Sequence, residues 1–435
     1  MTTQAPTKPE IHPSIKQYQQ ALKDMDYYKV FSANSKDAQL VNLAAWEEKT
    51  SLSWALDDFF TYCHDSKLPV PTEDIEPMIL CRKLTSVLGK RFSPLGGKVI
   101  TLEGTRNKYA NVYKQFKPKH EPLPLDDTFH AFFKVFIKND AERHILFQYI
   151  AHMVQHPEER PSWHIMLPSD TGVGKGFFFN DILRPLIPNN YLVKKFSELM
   201  KQFAPMLETG ILVWLDDCKV KSYDTSVELK SILTEESQLT ESKYGAAKMV
   251  DCYCRMILAS NERIPLFVDI SERRWCIFER LTYCNGLDPI AGKKHRIKHY
   301  IRPLSNWLEK DGAIEAVYNF FATYSLEGFD HKDVPCTESF LALVEDSKRL
   351  EHTMLEEWIE GFPEHCTWFK FSEAQDIFSN SKTACPQPQL LKDILSDCGY
   401  RAKRFQGAHK EMGTLWFPSS WSDAEMIKNY KPPTF

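Results

Sequence analysis

Residues 163–179 read WHIMLPSDTGVGKGFFF: an apolar run, a glycine-bearing loop and a second apolar run. A strand, a tight turn and the opening of a helix satisfy that pattern, which is the context a phosphate-binding loop requires. Gly172 and Gly174 let the backbone turn its N–H groups inward, and Lys175 adds a point charge. The N-terminus of the following helix, FFFNDILRPLI, adds its dipole. Each part serves an anion. ATP is the expected ligand of the loop formed by Ser169, Asp170, Thr171, Gly172, Val173, Gly174, Lys175, Gly176 and Phe177. Two positions depart from the pattern G-x-x-x-x-G-K-S/T: Ser169 stands where the first glycine is usual, and Gly176 replaces the hydroxyl residue that ligates Mg2+.

Outward from the loop, residues 163 to 279 alternate apolar runs with helical segments, through YLVKKF, ILVWLDD, SVELKSILTE, RMILAS and RWCIFER. Such alternation predicts an α/β domain with helices around a largely parallel sheet. ILVWLDD is an apolar strand that ends in adjacent carboxylates. Asp216 is expected to hold Mg2+, directly or through water, and Asp217 to orient or deprotonate an attacking water. Phosphoryl transfer needs such positioning and charge neutralisation more than covalent chemistry. The bland alternative is a pair of acids that caps a turn. RMILAS leads to Asn261, whose amide can bond both a water and a γ-phosphate, although asparagine is also an ordinary turn residue. SERRW sets Arg273 and Arg274 before a further strand-like run. Either suits an arginine finger, often supplied by a neighbouring subunit, or one half of a structural ion pair.

The chain has 435 residues, 43% of them hydrophobic, and a formal net charge of −4. That length allows about two to four domains, and the charge leaves any DNA contact to local clusters. Eleven cysteines without a CxxC pair, with Cys252, Cys254 and Cys276 inside apolar runs, read as a reduced cytosolic chain. The opening MTTQAPTKPEIHPSIKQ lacks a signal-peptide core, and no apolar stretch reaches spanning length, so the expectation is a cytoplasmic protein without a membrane. Residues 1–124, with SIKQYQQALKDM and LSWALDDFFTYCHDS, are expected to form a helical or α+β accessory region. Between Phe129 and Gln155, apolar residues at three- and four-residue steps predict two core-facing helices. The core is expected at 125–285, a helical extension at 286–349 and a last module at 350–435.

That last module reads helix (HTMLEEWIEG), strand (TWFKF), helix (SEAQDIFSN), helix (QPQLLKDILSDCG) and two strands (YRAKRF, GTLWFP), the order of a winged helix. Such a domain lays one helix in the major groove and touches backbone with its wing. Gln387, Gln389 and Lys392 fall near the start of the reading helix, and Arg401, Lys403, Arg404 and Lys410 in or near the wing. Winged helices also mediate protein contacts, and that reading stands beside recognition of an origin or DNA junction. The run KKHRIKHY at 293–300 reads as a solvated helix face.

In their order and spacing, SDTGVGKG, ILVWLDD, ILASNE and SERRW resemble superfamily 3 helicases, the AAA+-related, ring-forming replicative helicases of phages, viruses and mobile elements. The resemblance is greatest to the poxvirus-type and phage primase-associated branch, where a GKG loop is familiar and where a segment similar to FQYIAHMVQHPEERPSWHIML precedes it. It covers about residues 125–280. It implies an α/β P-loop NTPase core, a hexamer clasping one DNA strand, ATP sites at subunit interfaces and usually 3′-to-5′ translocation. Residue by residue, it supports Lys175 at the phosphates, Asp216 and Asp217 at metal and water, Asn261 as sensor and Arg273 or Arg274 as finger. It also assigns LKSILTEESQLTESKYGAAKMVD to a hairpin facing the channel, where Lys243, Tyr244 and Lys248 would grip phosphates and stack on a base. A solvated basic loop is the alternative. The N-terminal residues show no paired carboxylates on a convincing strand, so primer synthesis is not expected.

The leading expectation is therefore an ATP-dependent DNA helicase acting on single-stranded and forked DNA, with origin duplex as a further ligand. It would be a homohexamer with a primase or polymerase partner, in the bacterial host cell of a phage or other mobile element. The rival is an ATP-regulated initiator or scaffold that binds DNA and recruits partners without processive unwinding, which Gly176 would permit. An RNA helicase or packaging motor fits the loop but not the winged tail.

Overall fold

The computed structural model describes residues 13–30, 39–42, 47–49, 61, 64, 81–201, 204–218, 229, 231–241, 247–261, 272–282, 293–362, 368–380, 385–406 and 412–429. The chain divides into two compact units, Met1–Gln115 and Phe116–Phe435.

In the first unit the amphipathic run SIKQYQQALKDM lies in the helix Pro13–Asp24, with Tyr18 and Leu22 buried. Pro13 opens this helix, a position where its missing N–H costs no helical bond. Strands Tyr27–Val30, Gln39–Asn42 and Glu47–Lys49 pair antiparallel, and Ser86–Val87 joins Tyr27–Val30 in parallel. Lys90–Arg91, Val99–Thr101 and Lys108–Asn111 make a second small sheet. The described part of this unit is thus α+β rather than purely helical, because short runs such as YYKV and QLVN pair with one another rather than coil. LSWALDDFFTYCHDS lies outside the described residues except for Thr61 and His64.

The second unit carries strands β1 (His164–Pro168), β2 (Asn190–Val193), β3 (Leu212–Asp216), β4 (Ser237–Glu241), β5 (Ala247–Asp251), β6 (Arg255–Ser260) and β7 (Trp275–Ile277). Among the described residues, five of these form a parallel sheet in the order β7-β1-β6-β3-β2. Strands β1, β6 and β7 are buried throughout, which is why they read as unbroken apolar runs rather than alternating ones. The β2 strand lies at the edge and leaves Leu192 half exposed. The hairpin expected between ILVWLDD and RMILAS is present as β4 and β5, with Leu239 opposite Met249 and Thr240 opposite Lys248.

Helices α1 (Asp127–Phe136) and α2 (Asp140–Gln155) form where the spacing predicts them. Asp126 accepts the N–H of Thr128, and Asn139 those of Ala141 and Glu142, satisfying N–H groups that a helix start leaves open. Phe132 of α1 meets Phe177 edge-on at 5.3 Å, and Phe133 meets Phe178 at 5.6 Å. On the other side Phe179 stacks on Trp214 of β3 at 5.2 Å. The three consecutive phenylalanines after the glycine loop are thus clamped between α1 and the sheet, which fixes where the loop sits. Their helical stretch begins with an α turn at Lys175–Phe177 and widens to a π turn at Phe178–Leu183.

Two buried arginines close the other end of this layer. Arg255, fully buried at the start of β6, donates to the carbonyls of His156 at 2.6 Å and Pro157 at 3.3 Å, just past the end of α2. Arg160 donates to the carbonyl of Ile232 at 2.6 Å and to that of Glu235. The Arg255 guanidinium thus complements carbonyls at the end of α2.

Helices α3 (Lys293–Leu308) and α4 (Ala313–Thr323) follow, as the helical extension requires. Then α5 (Glu338–Glu360) leads to β8 (Phe369–Lys370), α6 (Phe371–Asn380), α7 (Pro388–Asp397), β9 (Tyr400–Gln406), β10 (Met412–Pro418) and α8 (Asp423–Asn429). The strands order as β8-β10-β9. The boundary expected at 349–350 falls inside α5. Phe340, Leu343 and Val344 of that helix join the core beneath the parallel sheet, and Leu355 joins the C-terminal cluster with Phe369, Phe378, Leu391 and Trp416. One helix serves both cores. Among the described residues no helix is long and apolar enough to cross a membrane.

Candidate functional site

The polar residues singled out in the sequence gather at the carboxyl ends of neighbouring parallel strands, where open α/β sheets hold their ligands. The glycine loop follows β1, Asp216 and Asp217 end β3, and Asn261 follows β6, which lies between them. Gly172 and Gly174 have φ of 80° and 100°, a left-handed backbone that favours glycine. A Cβ on Gly174 would also come within 3.3 Å of Ile301 and 3.4 Å of Ile297, both on α3.

Lys175 Nζ donates to Asn261 Oδ1 at 2.6 Å. Asp217 Oδ1 accepts the backbone N–H of Asn261 at 2.9 Å, and the N–H of Asp217 donates to the carbonyl of Ala259 at 2.8 Å. Asp217 takes φ of 54°, uncommon for a residue with a side chain, and this turns its carboxylate toward the β6 tip. Burial lowers the Lys175 ammonium from its usual value, while Asp217 and Asp216 oppose that shift. Asp216 is half-buried at the same edge.

The rest of the loop divides its labour. Ser169 is fully buried, and its hydroxyl donates to the carbonyl of Ser260 at 3.1 Å, so it ties the loop to β6. Val173 is buried, Phe177 packs on Phe132, and Thr171, Gly172 and Gly176 are exposed. Asn180 donates to the carbonyl of Gly176 at 2.9 Å. Asp216, half-buried at the end of β3, is the carboxylate that could hold Mg2+, an ion that takes one or two carboxylates and keeps several waters; Asp217 beside it is turned toward Asn261.

One residue that sequence reasoning passed over sits in this group. Arg280, just beyond β7, has Nε 3.2 Å from Asp170 Oδ1 and donates from Nη2 to the carbonyl of Asn261 at 3.1 Å. Its signal was its place at the end of the run WCIFER, beside β1. Arg273 and Arg274 lie elsewhere. They precede β7, which runs parallel to β1, so they sit at the amino end of the sheet, about 15 Å of strand away from the loop. Arg273 is exposed, while Arg274 has Nη1 3.6 Å from Glu272.

Of the residues expected to meet DNA, Lys243, Tyr244 and Lys410 lie outside the described residues. Lys248 lies in β5, opposite Thr240. In the C-terminal module Gln387 directly precedes α7 without a side-chain bond to its first turn, Gln389 donates to Asp393 at 2.9 Å, and Lys392 lies over the ring of Phe371. The exposed face of α7 therefore carries Asp393 and Asp397 as well as Lys392. Arg401 and Lys403 share one face of β9, where both approach Asp423, at 3.6 Å and 2.6 Å. Arg404 falls on the opposite face by strand alternation.

These features define an α/β protein whose charged and amide side chains crown the carboxyl edge of a parallel sheet. A model of DUF5906, a family of unknown function, matches residues 167–274, a span that holds Asp170, Lys175, Asp216, Asp217 and Asn261. No curated protein matches the chain. Among solved structures it is similar to the apo C-terminal region of NrS-1, at 15% identity and a TM-score of 0.56, covering 94% of this chain and 100% of that one. The A form of the same region is similar at 16% identity and a TM-score of 0.55, covering 92% and 98%. At such identity the likeness is one of fold.

Proposed function

We propose that the chain is an ATP-dependent DNA helicase of the superfamily 3 type, acting as a ring in the replication of a phage, satellite or plasmid. The observation that carries this reading is the bond from Lys175 to Asn261 with Asp217 behind it. An ammonium, an amide and a carboxylate meet beside a left-handed glycine turn, and each has a task in phosphoryl transfer. Lys175 would hold the β- and γ-phosphates, Asn261 would sense the γ-phosphate, and Asp217 would orient the water. The β4–β5 hairpin supports contact with a DNA strand, and the helix and strand order after α5 supports a winged helix. The position of Arg273 suits a finger offered to a neighbouring subunit, since it is exposed and remote from Lys175 in its own chain.

A second reading, an initiator or scaffold, draws support from the C-terminal module. Asp393 and Asp397 on the open face of α7 repel phosphate and suit a protein partner. Strand displacement on forked DNA separates the two, with Lys175→Ala as control. ATP-dependent unwinding that this variant loses supports the helicase. ATP-dependent DNA binding without unwinding supports the scaffold and removes the helicase.

A further inference from the structure

We infer that Arg280 reads the terminal phosphate of a nucleoside triphosphate from within its own subunit, with Asp170 as its partner in the absence of that phosphate. This rests on the nucleotide-site reading proposed above and adds a residue to it.

The backbone around Arg280 is pinned on both sides. Leu281 N–H donates to the carbonyl of Pro168, and Asp170 N–H to that of Leu281, each at 2.8 Å. The N–H of Glu279 donates to the buried carboxylate of Glu142 at 2.7 Å, and Ser339 Oγ donates to the same carboxylate at 2.6 Å. The start of the glycine loop and the base of Arg280 are therefore one rigid piece. The guanidinium is another matter. It is about a third exposed, and the contacts that hold it include one carboxylate and one carbonyl.

An ion pair with both partners about a third exposed contributes little stability, so its carboxylate exchanges readily for a more highly charged anion. Guanidinium matches phosphate as well as carboxylate, in the same forked geometry. Arg280 also shares Asn261 with Lys175: one bonds the backbone carbonyl, the other the side-chain oxygen. A phosphate that drew Arg280 away from Asp170 would thus disturb the residue that holds Lys175. That arrangement distinguishes a triphosphate from a diphosphate without a second subunit, in contrast to Arg273.

The test is equilibrium titration of the full chain with fluorescent ADP and with a β,γ-imido ATP analogue, comparing wild type, Arg280→Gln and Arg280→Lys. Arg280→Gln is expected to weaken the triphosphate analogue roughly tenfold, the loss of one charge-assisted contact, and to leave ADP within about twofold. Arg280→Lys is expected to recover part of the loss. An equal loss for both nucleotides would show that Arg280 only shapes the loop, and no loss would show that it does not meet the phosphate; either overturns the inference while wild-type binding keeps the site. A wild-type chain that binds neither nucleotide overturns the site reading itself.

Discussion

The ammonium of Lys175 and the side-chain oxygen of Asn261 lie 2.6 Å apart, although the lysine opens the helical turn after the β1 loop and the asparagine follows the tip of β6. The bond ties the lysine to an asparagine whose own N–H donates to Asp217. Asn261→Ala is expected to leave ATP affinity within a few-fold and to lower kcat roughly a hundredfold, as loss of a positioned polar group at the reacting centre does. Steady-state ATPase kinetics check this; a rise in KM with unchanged kcat would assign Asn261 to binding alone.

Asp217 allows its charge to be separated from its shape. Its φ of 54° suits asparagine better than alanine, because a short polar side chain tolerates the left-handed region. Asp217→Asn is expected to fold like wild type and to lose ATP turnover by roughly a hundredfold or more, whereas Asp217→Ala adds a stability loss of about 1 kcal/mol. Asp216→Ala is expected to abolish Mg2+-dependent turnover. Turnover and thermal melting, measured on each variant, resolve the effects, and retained hydrolysis in Asp216→Ala would remove it from the metal role.

Much of this site was legible in the sequence because strand, loop and helix are consecutive: glycines, lysine and the three phenylalanines report their own local geometry. The pair Asp216 and Asp217 was legible for the same reason, as an acidic end to an apolar run. What joins them was not. Strand order puts β6 between β1 and β3, and only that order sets Asn261 between Lys175 and Asp217. Arg280 escaped notice because an arginine after an apolar strand is unremarked until the strand's neighbour is known. Helix α5 hid a boundary, since its amphipathic pattern continues while the core it packs against changes.

Arg273 and Lys175 sit at opposite ends of the sheet in one chain. If Arg273 completes a neighbour's site, Arg273→Ala and Lys175→Ala subunits are each inactive alone, and mixing them regenerates active interfaces. Partial recovery of ATPase activity, measured over a range of mixing ratios, is the expected result. Strictly additive, inactive mixtures would leave Arg273 without a role in trans.

Asp423 draws Arg401 and Lys403 to itself on the face of β9. Asp423→Asn removes that competitor. If the module binds duplex through this face, the variant is expected to bind more tightly and with a salt dependence steeper by about one to two phosphate contacts. Fluorescence anisotropy at several salt concentrations measures both. Unchanged affinity and slope would leave the face to a protein partner.

Acid should destabilise the core before the carboxylates titrate. His164 is fully buried at the start of β1, where its Nδ1 accepts the N–H of Met256 at 3.2 Å and its Nε2 therefore donates to the carbonyl of Leu233 at 3.0 Å. Burial, reinforced by Arg160, pushes this imidazole down to about 3. Burial and Arg255 likewise push His152 down to about 4. Unfolded histidine titrates near 6.5, so below that pH the unfolded chain binds more protons than the folded one, and stability falls as pH falls toward those depressed values. Each histidine contributes a slope of about 1.4 kcal/mol per pH unit once the pH is well below 6.5. Urea unfolding at pH 7.5 and pH 5.5 reads the effect. His164→Gln keeps an acceptor for Met256 and a donor for Leu233 but cannot take the proton, so its acid-side loss is expected to be smaller than that of wild type. An unchanged loss would move the acid sensitivity away from His164.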